Sequence, residues 1–161
     1  MARRPDLRGI PLIHWPAFLL VTGFGSGLLP KAPGTWGSLL AVLVAWALPA
    51  DRYTEILVFL TVGASVGCVV LGSVGERLLG RKDPESFVLD ELAGQWLALL
   101  GTARQDPFWA AAAFILFRFF DIRKPLGIAR LQRLPGGVGI LADDLAAGAV
   151  AALLCAAAQL G

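Results

Sequence analysis

The stretch TEILVFLTVGASVGCVVLGSV, Thr54 to Val74, decides the fold. It lacks any alternation of period two, and its length favours helix over strand. It also reaches the ~20 residues that comfortably cross a bilayer. Four more apolar segments accompany it: Trp36–Ala50, Phe87–Gly101, Pro107–Phe120 and Leu145–Leu160. Their Ala and Leu content again suits helix. They are short for a span, so flanking residues or local thinning must accommodate them. A compact helical core lying partly in the interface is the alternative.

Composition points the same way. The chain is 57% apolar and 16% charged, against ~45–50% and ~25% for a soluble domain. Its mean hydropathy is +0.70. At 161 residues, one domain over 1–161 is expected. The expected fold is all-α: a compact multi-helix integral membrane protein with about five hydrophobic helices. An N-terminal segment, Trp15–Phe24, is interfacial or dips into the bilayer. The first residues do not read as a signal peptide, because Pro11 and Pro16 break the apolar run and no cleavage site closes it. Cys68 and Cys155 sit in apolar runs and read as buried, inert thiols.

Charge placement orients the chain. If the five segments cross alternately from a cytoplasmic N-terminus, one side holds Arg3, Arg4, Arg8, Lys31, Arg77, Arg81, Lys82, Arg118, Arg123, Lys124, Arg130 and Arg133. The other side holds only Arg52 and Arg104. That bias follows the positive-inside rule. Asp90, Glu91, Asp121, Asp143 and Asp144 fall on the same side. In this reading Asp90 and Glu91 begin one helix, Asp121 ends another, and Asp143 and Asp144 begin the last. Helix-start carboxylates complement the macrodipole, but Asp121 at a C-terminal end does not. Acids at a membrane edge otherwise pair, bind metal or line a site.

The chemistry these residues allow is that of a hard divalent cation and a phosphate. Mg²⁺ takes oxygen ligands and bridges carboxylates to substrate phosphates. The loop TGFGSGLLPKAPGTWGSLL, Thr22 to Leu40, supplies the other half. Its glycines allow close backbone approach and an anion nest. Lys31 adds a charge, and Thr35 and Ser38 add hydroxyls at a helix start, which itself favours an anion. The Gly23-Gly25-Gly27 spacing matches neither a P-loop nor a dinucleotide fingerprint. A second glycine-rich stretch, RLPGGVGILADDLAAG, reads either as a simple turn with a helix start or, beside Asp143 and Asp144, as a stretch that lets a substrate headgroup near the metal. His14 is the lone histidine and lies far from the acids, which argues against phosphohistidine chemistry and a histidine-rich zinc site. Metal-activated water or an aspartate nucleophile remain. No nucleic-acid partner is expected.

Three blocks, TGFGSGLLPKAPGTWGSLL, VLDELAGQW and FRFFDIRKPLGIARLQRLPGGVGILADDLAAG, resemble the phosphatidylglycerophosphatase A family in the same order from about Val21 to Ala152. The resemblance implies an all-helical, Mg²⁺-dependent enzyme of the bacterial inner membrane with its site facing the cytoplasm. It would convert phosphatidylglycerophosphate to phosphatidylglycerol and inorganic phosphate. By matching position, Lys31, Asp90, Asp121 and Asp143 are the expected catalytic residues. Thr35, Ser38, Arg118 and Lys124 would bind substrate, and Asp90, Glu91, Asp121, Asp143 and Asp144 would bind metal. Some members carry a histidine before the glycine pair where this chain has Pro135. The competing readings are a phosphatase for another lipid phosphate, such as phosphatidic acid or a polyprenyl phosphate, and a cation-binding or transport protein with acids at mid-helix depth.

Overall fold

The computed structural model describes residues 11–79, 84–102, 105–125, 127–134 and 136–160. Arg3, Arg4, Arg8, Arg81, Lys82, Arg104 and Pro135 lie outside them, as does the side chain of Arg133. The described elements are helical: α1 (Trp15–Val21), α2 (Pro33–Trp46), α3 (Tyr53–Leu79), α4 (Leu89–Leu99), α5 (Pro107–Arg123) and α6 (Gly136–Ala158), with short 3-10 turns between some of them.

Local chemistry sets the helix ends. Pro33 and Pro107 open α2 and α5, where a missing N–H costs nothing. Asp106 caps α5, accepting hydrogen bonds from the N–H groups of Phe108 and Trp109. Lys124 closes α5 in the left-handed region, and Pro125 follows, where a helix would not continue.

The central helix is α4, which packs against α2, α3, α5 and α6. Nine of its residues are buried, from Leu89 to Leu99. It runs parallel to α6: a Cβ on Gly94 would meet the carbonyl of Asp144, and one on Gly101 would meet that of Ala152. Helices α2, α4 and α6 therefore start at one end of the bundle, and α3 and α5 return to it. The opposite end is tied by Gln105 donating to the carbonyls of Trp46 and Leu48, and by Gln159 donating to Gly101.

The five apolar segments fall on α2 to α6, but their lengths do not confirm five spanning helices. Among the described residues, two helical stretches, Ala50–Leu79 and Gly137–Ala158, are long and apolar enough to cross a membrane. At 14 and 11 residues, α2 and α4 extend about 21 and 16 Å, short of a hydrocarbon core of roughly 30 Å. The outward faces are apolar: Phe59, Val62, Val66 and Val70 on α3, Ile115 and Phe119 on α5, and Leu153 on α6 are all exposed. So extensive an apolar exterior suits a lipid surround rather than water. The N-terminal helix α1 docks on α3 and buries Phe18 and Val21, while Leu19, Leu20 and Phe24 stay exposed. Cys68 and Cys155 are buried.

One correction concerns α6. The glycine-rich stretch before the aspartates is its first turns, not a loop, because Gly136 already begins the helix. Gly137 presses on the backbone of Cys68 in the middle of α3, an approach that only a residue without Cβ permits. Asp143 and Asp144 therefore lie two turns inside α6, about 10 Å from its start. Helix-start electrostatics do not explain them.

Candidate active site

Four helices deliver polar or charged side chains to one buried layer. Ser38 comes from α2, Asp90 and Glu91 from the first turn of α4, Arg118 and Asp121 from the last turns of α5, and Asp143 and Asp144 from α6. Lys124 joins them from the α5 terminus. The α4–α6 contact sets the spacing: Gly94 and Gly148 allow the backbones to touch one turn below Asp144.

Arg118 is the hub. Its Nη1 pairs with Glu91, lies 2.9 Å from an Asp121 oxygen, and donates to Ser38 Oγ at 3.4 Å. Ser38 is fully buried and donates to the Gly34 carbonyl at 2.8 Å. Lys124 pairs with Asp143 and lies 3.6 Å from Asp121. Burial pushes the Lys124 ammonium down, but its hydrogen bond to Asp143 and the charges of Asp143, Asp121 and Asp144 outweigh this. The group is held above the ordinary lysine range.

The structure brings together three of the five expected metal-binding acids. Oxygens of Glu91, Asp121 and Asp144 all lie within 4.8 Å of one another. Asp143 is turned to Lys124 instead. Asp90 is buried beside them, near enough for its charge to bear on Asp144. Among the described residues, Arg118 and Lys124 pair with Glu91, Asp121 and Asp143, and like charges still crowd a buried layer. Asp144 Oδ2 and Asp143 Oδ1 are buried without a hydrogen-bond partner. An all-oxygen donor set, excess negative charge and orphaned carboxylate oxygens fit a hard divalent cation. Glu91, Asp121 and Asp144 are the residues that would hold it.

The loop before α2 divides into two parts. From Gly23 to Leu29 every backbone N–H is bonded within the loop or to α1, for example Gly27 to Thr22 and Leu28 to Gly25. The Gly23-Gly25-Gly27 run is therefore a scaffold and not the anion nest read from sequence. The next few residues differ. Lys31 and Ala32 both adopt the left-handed region, with φ of 61° and 50°. The N–H groups of Lys31, Ala32 and Gly34 meet no acceptor among the described residues. Non-glycine residues rarely hold this conformation, and such strain gathers at ligand sites. Gly34 lies directly against Glu91, where any Cβ would collide with the carboxylate. The open amides at the α2 N-terminus thus abut the acid cluster.

Thr35 is half-buried in the first turn of α2. Lys31 is exposed and pairs with no carboxylate among the described residues. The Trp36 indole donates to the Lys31 carbonyl at 3.1 Å, fixing the backbone while leaving the ammonium outside the cluster. Sequence reading passed over Gly34, whose signal is the helix-opening Pro-Gly pair, and Gln95, a lone amide one turn after Glu91.

Comparison with known proteins bears on the family of the chain. The family model described as phosphatidylglycerophosphatase A matches residues 19–159. A Bacteroides thetaiotaomicron protein provisionally named phosphatidylinositol-3-phosphatase is 40% identical over 152 residues, covering 89% of this chain and 96% of that one. Phosphatidylglycerophosphatase A of Escherichia coli K12 is 38% identical, covering 85% of this chain and 80% of its own. Phosphatidylglycerophosphatase A of Haemophilus influenzae is 37% identical, covering 99% and 98%. No solved structure matches the chain.

Proposed function

Because the chain belongs to the phosphatidylglycerophosphatase A family, a family of phosphoric monoester hydrolases, we propose that it removes the terminal phosphate of phosphatidylglycerophosphate. The products are phosphatidylglycerol and inorganic phosphate, made in phospholipid synthesis. The protein acts as an integral membrane enzyme of the bacterial inner membrane, with its site open to the cytoplasm. The observation that carries this reading is the contact of the open α2 N-terminus with the Glu91–Asp121–Asp144 cluster.

Mg²⁺, held by Glu91, Asp121 and Asp144, would neutralise phosphoryl charge and activate water. The chain's own residues do the rest. The amides of Lys31, Ala32 and Gly34 and the α2 dipole receive phosphoryl oxygens. Lys31, free to follow the substrate, and Lys124, anchored between Asp121 and Asp143, offset charge as the transition state forms. Asp143 Oδ1 is unpartnered and accepts the proton of the attacking water. The water oxygen attacks phosphorus, the phosphorus–alkoxide bond breaks, and the leaving oxygen takes up the proton that Asp143 received.

Asp143 and Asp144 lie deep enough inside α6 that their placement does not separate hydrolysis from an ion path. Family membership is what favours hydrolysis. Purified protein should release phosphate from phosphatidylglycerophosphate in the presence of Mg²⁺ and not after chelation. The panel should include phosphatidic acid, a polyprenyl phosphate and phosphatidylinositol 3-phosphate. Equal or faster release from any of these would overturn the substrate assignment, and no release from all would overturn the activity. Cysteine labelling should place positions 31 and 124 on the cytoplasmic side and position 52 opposite. Positions 31 and 52 on one side would contradict that topology.

A further inference from the structure

One polar side chain on α4 has no role so far. Gln95 is fully buried, and neither its amide nitrogen nor its carbonyl oxygen has a hydrogen-bond partner. Leaving both ends of a carboxamide unpaired forfeits two hydrogen bonds. Its position is not arbitrary. Gln95 follows Glu91 by four residues, so the two share a face of α4 about 6 Å apart along the axis. Helical side chains lean toward the helix N-terminus, which tilts the amide back toward Glu91 and the acid layer. One turn further in from Ser38, Asp121 and Asp144, the neighbouring helices present Ala41, Phe117 and Ala147, all fully buried and without side-chain polar atoms. The main-chain oxygen of Ala41 is already taken by the Trp96 indole. The polar groups at hand lie above, where Asp144 Oδ2 is likewise orphaned.

We propose that Gln95 is a positioning residue of the cation site, its carboxamide forming the polar floor that hydrogen-bonds the cation's hydration shell beneath Glu91, Asp121 and Asp144. This rests on the cation reading of the same cluster. An amide suits the task because it donates and accepts at once and adds no charge to a layer already rich in carboxylates. A floor of this kind fixes carboxylate orientation, and losing such outer partners lowers metal affinity about 10–100-fold.

The test is Mn²⁺ titration of the full, detergent-solubilised chain by electron paramagnetic resonance, with melting curves of the chelated protein alongside. Gln95→Leu and Gln95→Met keep volume and remove both polar ends. Both variants should bind Mn²⁺ roughly 10–100-fold more weakly than wild type. Their cation-free melting temperatures should be unchanged or raised, since replacing an unpaired polar group by an apolar one of similar shape is not destabilising. Wild-type affinity in both variants would overturn the proposal while leaving the cation reading intact. A fall in cation-free stability or failure to fold in both would overturn it in favour of a purely structural amide. Absence of Mn²⁺ binding by wild type would overturn the cation reading, and the role of Gln95 with it.

Discussion

Gly94→Ala touches no group assigned to chemistry, yet it should damage the site. A Cβ at Gly94 would lie 2.7 Å from the Asp144 carbonyl and 2.6 Å from the Phe117 ring. Ordinary contact begins at 3.4 Å, so α6 must retreat by about 0.7 Å at Asp144 itself, because a helix backbone cannot deflect locally. The Phe117 ring must move as well, one turn from Asp121. Overpacking of this kind costs ~1–3 kcal/mol, and replacing glycine within a helix returns ~1 kcal/mol. The net destabilisation is about 0–2 kcal/mol, small enough for the protein to fold. The site is less tolerant, since a misplacement near 1 Å can cost ~100-fold in rate. Phosphate release should therefore fall roughly 10–100-fold and Mn²⁺ affinity should fall with it, while the melting temperature drops modestly. Gly63→Ala is the control: it lies on the exposed side of α3 with open space around it and should leave turnover unchanged. Turnover and cation affinity within twofold of wild type in Gly94→Ala would refute the claim that the α4–α6 contact sets the carboxylate spacing.

Asp144→Asn should lower phosphate release on the order of 100-fold or more. It should leave the chelated protein as stable or more so, because it relieves like-charge repulsion; a large loss of cation-free stability would mean the carboxylate is structural. Lys31→Ala should lower turnover on the order of 100-fold with little change in lipid binding, and Lys31→Arg should not restore it, since a planar fork fits poorly where a compact ammonium serves. Both variants keep a side chain in the same left-handed backbone, so strain does not separate them, and near-wild-type release from Lys31→Arg would show that the residue only anchors the loop to anionic lipid. Lys124 has a raised pKa in the folded state, so its stabilisation is fully present below its unfolded value of ~10.4 and lost only as pH rises through the higher folded value. The melting-temperature gap between chelated wild type and Lys124→Met should stay constant from about pH 7 to 9.5, and a gap that closes within that range would contradict the Lys124–Asp143 pairing.

Much of the helical layout was legible because apolar runs and charge placement are local signals. The segments around Thr54–Val74 and Pro107–Phe120 became α3 and α5 with boundary shifts only. The gathering of Glu91, Arg118 and Asp121 at one end followed from alternating helices. The Gly136–Ile140 run was misread because glycines mark turns in sequence, whereas here they let α6 cross the α3 backbone. Lys31 and Ala32 gave no sign of their left-handed conformation, since neither residue type favours it. Gln95 and Gly94 were invisible for the same reason: their significance lies in what another helix brings against them.

The central claim is that Glu91, Asp121 and Asp144 hold the divalent cation at which the phosphoryl group is cleaved. Anomalous diffraction from crystals of the protein grown with Mn²⁺ tests it most directly. A peak within coordinating distance of oxygens from all three side chains, lost in Asp144→Asn, is the expected result. A peak elsewhere in the bundle, or none between these carboxylates at saturating Mn²⁺, would contradict it.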